Sequence, residues 1–253
     1  MRGAVCIYPF NLEFINNSLG HPAFAPFNFI FNKNIVNEIF CGISSRFAGN
    51  MKHQDKDRQS LFLKLGINPF NVYSLKQIHS RSVIVVDKKN PPPIDTEADG
   101  MVTQDREITL SVTVADCLPV FLYDTKSGAF GLVHSGWKGT GIALAAVNLM
   151  QKYWGTEQND IAAILGPCIG SCCYKVDLQR ASVFETDFGS ESVRKSDGSF
   201  FLDLKTANIK LLENVGVKNI AVCQNCTFCD ERLGSFRREG SGFTHMAALI
   251  HKR

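Results

Sequence analysis

Between residues 72 and 134 the chain is cut into short apolar runs, and this pattern limits the possible folds more than any other feature. The runs cover residues 72–78, 82–87, 100–103, 108–115, 120–123 and 129–134. Each has the length of a strand and ends at turn-forming or polar residues, leaving no room for a helix of several turns. Residues 88–99 contain Pro91, Pro92 and Pro93, which fit neither a helix nor a ladder, so this stretch must be an exposed loop. Elsewhere the period changes. Residues 140–154 place Leu144, Val147, Met150 and Tyr153 at helical spacing, and residues 203–215 do so with Leu204, Ala207, Leu211 and Val215. Residues 57–65 and 177–185 also read as helices. Residues 35–44, 161–165, 220–223 and 246–251 read as strands, and residues 1–34 as strands and loops without a clean period. Strands occur both in runs and in alternation with helices, so the expected fold is α+β with mixed β-sheet layers flanked by helices. Without a linker-like stretch, residues 1–253 are expected to form a single domain.

The composition is that of an ordinary soluble globular chain, 45% hydrophobic and 20% charged, which suffices for a full core. A net charge of +3, from 27 basic and 24 acidic residues, gives no footing for nucleic acid or an anionic membrane. No apolar run approaches the roughly 20 residues of a membrane span. Residues 1–9 lack the apolar core and cleavage site of a signal peptide, so a cytoplasmic location is expected. The nine cysteines then read as thiols or metal ligands rather than a disulfide framework. Cys168, Cys172 and Cys173 form one cluster, and Cys223, Cys226 and Cys229 another. The second resembles part of a ferredoxin ligand run, but no fourth Cys-Pro follows, which favours structural thiols over a second metal site.

Three runs end on residues with metal-binding side chains. His79 closes the first, Asp116-Cys117 follows the fourth, and His134 closes the last, ahead of Ser135-Gly136-Trp137-Lys138-Gly139. A strand-to-turn junction can hold an imidazole rigidly while leaving backbone open to a ligand. Two histidines and a cysteine at three strand ends suggest one site. Their wide separation excludes a zinc finger with local ligand pairs, and three protein ligands with an open position is a catalytic arrangement. The donors suit Zn²⁺, with copper as the alternative. Singly, each has an ordinary alternative as a half-buried histidine or a small core cysteine. Asp116 is a candidate general base or the acceptor that orients a histidine, against a turn-stabilising role before Leu118-Pro119. Gln77 would share a face with His79 if the strand continued. Arg46, Lys138, Arg237 and Arg238 are candidates for an anion site, and Lys138 lies just ahead of the helix at residue 140.

Several segments together resemble the YfiH-type laccase-domain family, named multicopper polyphenol oxidases in older usage and now read as purine nucleoside phosphorylases. They are Lys76-Gln77-Ile78-His79, Ala98-Asp99-Gly100-Met101-Val102-Thr103, Val114-Ala115-Asp116-Cys117-Leu118-Pro119 and Val133-His134-Ser135-Gly136-Trp137-Lys138-Gly139. Leu165-Gly166-Pro167-Cys168, Cys173-Tyr174-Lys175-Val176, Cys226-Thr227 and Ser235-Phe236-Arg237-Arg238-Glu239-Gly240 follow in the family's order. The resemblance implies zinc on His79, Cys117 and His134, and a purine nucleoside and phosphate as substrates. Three departures concern the substrate contacts. Lys138 stands where the family usually has arginine, the stretch after Arg46 is shortened, and Ser241-Gly242-Phe243 replaces a late Thr-Gly-Arg. A lysine lacks the bidentate fork, so phosphate binding should be weak unless Arg46 or Arg237 compensates.

The older name fits the residues poorly. The six histidines include no His-x-His pair, which argues against a trinuclear copper cluster and so against a copper polyphenol oxidase. The H-x-E and P-C-x-x-C signatures of the usual zinc nucleoside deaminases are also absent. The expected enzyme is a zinc-dependent purine nucleoside phosphorylase acting on adenosine, inosine or methylthioadenosine. Asp116 would handle protons, and a zinc-activated water would give an adenosine deaminase side activity. The main alternative is a cysteine hydrolase with Cys117 as nucleophile, His134 as base and Asp116 orienting it, acting on amides of cell-wall precursors. A noncatalytic metal-binding module is the third class.

Overall fold

The structure, a computed structural model, describes residues 5–17, 20–52 and 55–253, so residues 1–4, 18 and 19 of the N-terminal reading lie outside it. Its strands begin with β1 (Cys6–Phe10), β2 (Ile15–Asn16), β3 (Pro22–Phe31), β4 (Asn34–Ser44), β5 (Val72–Tyr73), β6 (Val83–Val85), β7 (Gly100–Thr103) and β8 (Thr109–Val114). They continue as β9 (Leu118–Asp124), β10 (Phe130–Ser135), β11 (Ile161–Leu165), β12 (Lys175–Val176), β13 (Val193–Ser196), β14 (Ser199–Leu202), β15 (Asn219–Cys223) and β16 (Met246–Lys252). The helices are α1 (Lys56–Lys64), α2 (Ile142–Trp154), α3 (Leu178–Phe188), α4 (Leu204–Val215) and the single turn α5 (Phe236–Glu239).

Among the described residues these strands form three sheets. The first has the order β1-β15-β11-β9-β10-β7-β6, the second β2-β3-β4-β16-β8-β5, and the small third β12-β14-β13. In the first, β15 runs parallel to β1 and β11, whereas β9 is antiparallel to β10 and β11. The sheet is therefore mixed, as the alternation of runs and helices implied.

Strand β9 shows how the layers stack. All seven of its residues are buried, so both faces must meet apolar partners. Successive side chains point to opposite faces. Leu118, Val120 and Leu122 pack with Ile142, Val147 and Met150 of α2 and with Leu204 and Leu212 of α4. Phe121 and Tyr123 pack with Phe27, Phe29, Leu110 and Val112 of the second sheet. On that sheet's far face, Phe62 of α1 meets Phe24 and Leu249. The order of layers is helices, first sheet, second sheet, helix. Burying one such aromatic or aliphatic side chain contributes about 1.5–3 kcal/mol. Among the described residues no helix is long and apolar enough to cross a membrane.

Several boundaries differ from the sequence reading. The run 72–78 holds strand geometry only over β5, and its end bends into a turn built around Asp99. Tyr153 and Val215, expected on core faces, are exposed, whereas Trp154 and Leu212 in the same final turns of α2 and α4 pack into the core. The polar hairpin β13–β14 was not expected. Its signal was present: Asp197-Gly198 links Ser196 to its partner Ser199, with both turn residues at positive φ, the two-residue turn that matches strand twist.

Candidate metal centre

The centre is organised from beneath by Asp99, which precedes β7 and has no exposed surface. Its Oδ1 accepts from the backbone N–H of His79 at 2.9 Å and lies 2.9 Å from His134 Nδ1. Its Oδ2 accepts from the N–H groups of Ile78 and Ser80 at 3.2 and 2.7 Å, and from Ser80 Oγ at 2.8 Å. These bonds hold His79 at φ 60, a left-handed conformation that costs a non-glycine residue about 1–2 kcal/mol. Burial pushes the Asp99 carboxyl up, but the hydrogen bonds from His134 and Ser80 outweigh it and bring it down to about 2. Asp99 thus fixes the backbone of His79 and the imidazole of His134 at once.

Cys117 sits between β8 and β9, opposite the two histidines. The ligand atoms of His79, Cys117 and His134 all lie within 4.8 Å of one another, and the imidazole centroids are 4.9 Å apart. Burial opposes the thiolate, yet His134 and His79 overcome it and hold Cys117 at about 7. Burial likewise opposes a charged His134, but Cys117 and Asp99 raise it to about 9. Gly136 makes this convergence possible, since a Cβ there would stand 3.0 Å from Cys117 Sγ and 3.3 Å from His79 Cδ2. With Nδ1 of His134 engaged by Asp99, Nε2 is left as its ligand atom. A readily formed thiolate with two imidazoles, one oriented by a buried carboxylate, fits a zinc ion.

The three side chains line a cavity of about 490 Å³. Around them stand Trp137, Tyr174, Phe236 and Phe243 as aromatic wall, with Arg180 and Arg237 as the cations. The Arg180 guanidinium lies 4.7 Å from the Trp137 ring, and that of Arg237 lies 5.3 Å from Tyr174. Asp116 also lines the cavity, at φ 88. Its Oδ1 accepts from Thr227 Oγ1 at 2.5 Å and its Oδ2 from the Arg237 N–H at 2.7 Å. His245 closes one side. Its Nδ1 is buried without a hydrogen-bond partner among the described residues, and the Phe243 ring centre lies 4.4 Å from that of its ring.

Residues 43–253 match the multi-copper polyphenol oxidoreductase laccase family. The chain belongs to that family. One laccase-family relative is the mouse protein named purine nucleoside phosphorylase LACC1, 35% identical over 198 residues. The match takes in 74% of this chain and 45% of the mouse protein, so this chain spans less than half of that relative's length. A Corynebacterium glutamicum relative, also named purine nucleoside phosphorylase, is 33% identical over 70% of this chain and 73% of its own. The crystal structure of YlmD from Geobacillus stearothermophilus superposes with a TM-score of 0.82 at 26% identity, covering 96% of this chain and 99% of YlmD.

In this laccase-family chain the residues singled out by sequence are distributed unevenly. His79, Asp116, Cys117, His134, Gln77 and Arg237 all line the cavity. The side chain of Gln77 is engaged with Thr113, donating to its carbonyl at 2.9 Å and accepting from its N–H at 2.8 Å, and so props the His79 turn. Asp116 does not orient a histidine; that role falls to Asp99, which the sequence displayed only as part of Ala98-Asp99-Gly100. Lys138 lies outside the cavity lining, 5.7 Å from the Trp137 ring, and the cation inside beside Arg237 is Arg180, for which no sequence signal stood out. Arg46 is also outside, paired with Glu239 at 3.6 Å. Arg238 turns away to bond the carbonyls of Thr227 and Phe228 at 2.6 and 2.9 Å.

Proposed function

We propose that this chain is a zinc-dependent purine nucleoside phosphorylase of the cytoplasm, cleaving adenosine or inosine with phosphate to the free base and ribose 1-phosphate. The observation that carries the reading is a single cavity in which the His79–Cys117–His134 group faces two guanidinium groups and an aromatic wall. Its volume lies within the range of small-molecule sites. The names of the relatives support the same chemistry.

Phosphorolysis forms a bond from a phosphate oxygen to C1′ as the C1′–N bond breaks, and the electron pair leaves with the base. Positive charge builds on the sugar, so phosphate held against it both attacks and stabilises. Arg180 and Arg237 are the groups that bind phosphate, as forked donors suited to its oxygens. Phe236, Phe243 and Tyr174 give the purine an apolar wall and exclude water from it. His245 Nδ1, buried and without a hydrogen-bond partner among the described residues, pairs with a polar atom of the purine or ribose. Asp116, held by Thr227 and Arg237, keeps lone pairs free for a ribose hydroxyl and relays to the departing base the proton that the attacking dihydrogen phosphate gives up. Zinc on His79, Cys117 and His134 would supply Lewis-acid polarisation of a substrate atom. An adenosine deaminase side activity is part of the same proposal.

Incubating the protein with adenosine, with and without phosphate, tests it. Adenine and ribose 1-phosphate should appear only with phosphate, and any inosine without it. Base release that ignores phosphate would defeat the phosphorylase reading.

One observation favours a second reading. Cys117, His134 and Asp99 are ordered as nucleophile, base and orienting acid of a cysteine hydrolase. Convergence of a second imidazole, His79, on the same sulfur speaks for a metal instead. Iodoacetamide should spare Cys117 in zinc-loaded protein and label it after chelation. Rapid labelling of the loaded protein, or a trapped acyl-Cys117, would reverse the order of the two readings.

A further inference from the structure

Of the eight cysteines that the pocket chemistry does not use, four come together in space. Cys172 and Cys173 lie in the loop between β11 and β12, and Cys226 and Cys229 in the loop after β15. Although more than fifty positions separate the pairs (|i−j| 56 and 57), their sulfur atoms all lie within 4.8 Å of one another. Cys223, by contrast, is buried at the end of β15 and bonds Asn225 Oδ1. The Cys223/Cys226/Cys229 run is thus not a unit; two of its members join the other cluster.

We propose that Cys172, Cys173, Cys226 and Cys229 bind a second zinc ion as a closed tetrathiolate site. The dimensions match one ion. Four sulfurs at about 2.3 Å from a tetrahedral zinc lie about 3.8 Å apart. The Cys172–Cys229 and Cys173–Cys229 sulfur distances are 3.9 and 3.4 Å. An iron–sulfur cluster would place several metal and sulfide atoms between the thiolates, and sulfurs within 4.8 Å of each other leave no space for them. The surrounding backbone is arranged for a thiolate. Gly170 N–H donates to Cys226 Sγ at 3.1 Å, and the N–H of Cys229 bonds the Cys226 carbonyl at 3.2 Å, closing the Cys-x-x-Cys turn. Gly170 has no room for a side chain: a Cβ there would stand 3.2 Å from Cys172 Sγ and 3.5 Å from Cys226 Sγ.

The site would have a definite task. Residues 226–238 supply Thr227 and Arg237, the two partners of Asp116, while residues 169–175 supply Ile169 and Tyr174 to the cavity and the carbonyl that Arg237 Nη1 bonds at 2.7 Å. Away from the sulfurs, the two loops are joined in part by an isolated bridge between Cys168 and Cys226 and by the N–H of Thr227 to the Cys168 carbonyl. A closed site, with all four positions taken by protein, adds no open coordination for chemistry and contributes to stability directly. Zinc there would lock these loops into one wall.

The test separates the two zinc ions. Wild-type protein purified under reducing conditions should contain about two zinc ions per chain, and Cys117→Ala about one. X-ray absorption at the zinc edge of Cys117→Ala should then show four sulfur neighbours near about 2.3 Å and no nitrogen. Cys172→Ser/Cys229→Ser should lose one zinc, melt at lower temperature and keep the ion that Cys117 binds. Should that double variant fail to fold, native mass spectrometry of wild type during graded chelation gives the same answer, with two ions leaving in separate steps. Cys117→Ala protein free of zinc, a nitrogen-containing shell, iron in its place, or a Cys173–Cys229 disulfide in freshly purified protein would each overturn the assignment.

Discussion

Asp99 is the residue whose loss reaches furthest, because one carboxylate satisfies the turn at residues 78–80 and orients His134 together. Asparagine would set amide hydrogens against N–H groups that need an acceptor. Asp99→Asn is expected to weaken zinc binding at Cys117 by about 10–100-fold, the usual effect of losing a ligand's outer partner. A competition assay with a chromophoric chelator would measure it, and unchanged affinity would remove Asp99 from the metal's support. At the anion end, placement reverses what sequence suggested for Lys138. Arg180 lines the cavity and Lys138 does not. Arg180→Ala should raise KM for phosphate by about tenfold, the loss of one charge-assisted contact. Lys138→Arg should leave it unaltered, and a lowered KM in that variant would return Lys138 to the phosphate subsite.

The junction from β10 into α2 concentrates the ligand geometry in one turn. Gly136→Ala adds a methyl into a gap of 3.0 Å to Cys117 Sγ, so the sulfur or the His79 ring must shift by a few tenths of an ångström. Zinc affinity should fall by about tenfold while the melting temperature of metal-free protein barely moves, a contrast that calorimetry on both forms would register. Parallel losses of both would mean the glycine serves packing instead. The elements that sequence disclosed well were those carrying their own period, such as α2 and the runs that became β9 and β10. His79 was identified as a ligand candidate, but its strand stops at Tyr73, because acceptors from Asp99, distant in sequence, override the local preference of residues 74–78. Arg180 and His245 share the reason they were missed. Each is an unremarkable polar residue until tertiary packing brings α3 and the segment ahead of β16 to the cavity. The thiol cluster was half legible: spacing exposed both groups of cysteines, and only folding could pair them.

Across the whole molecule, the second sheet half-buries a titratable group that links stability to pH. His251 on β16 packs against Phe40, 5.3 Å between rings, and burial lowers its pKa, with Arg253 acting the same way. An unfolded imidazole, near about 6.5, therefore takes up its proton first as pH falls. The stability contributed above that value is lost as pH falls toward the folded one. His251→Gln should show a smaller drop in urea midpoint than wild type between about pH 7.5 and 5.5, and equal drops would exclude His251 as a source. The same strand has a consequence for timing. Residues 246–252 lie centrally in their sheet, between β4 and β8, and Cys117 follows β8 by three positions. While the chain is on the ribosome, β4 and β8 wait apart with their paired edges open, although all three pocket ligands have long since emerged. Translation-arrested chains that stop short of residue 246 should accordingly fail to retain the pocket zinc, making metal capture an event that follows closure of the second sheet.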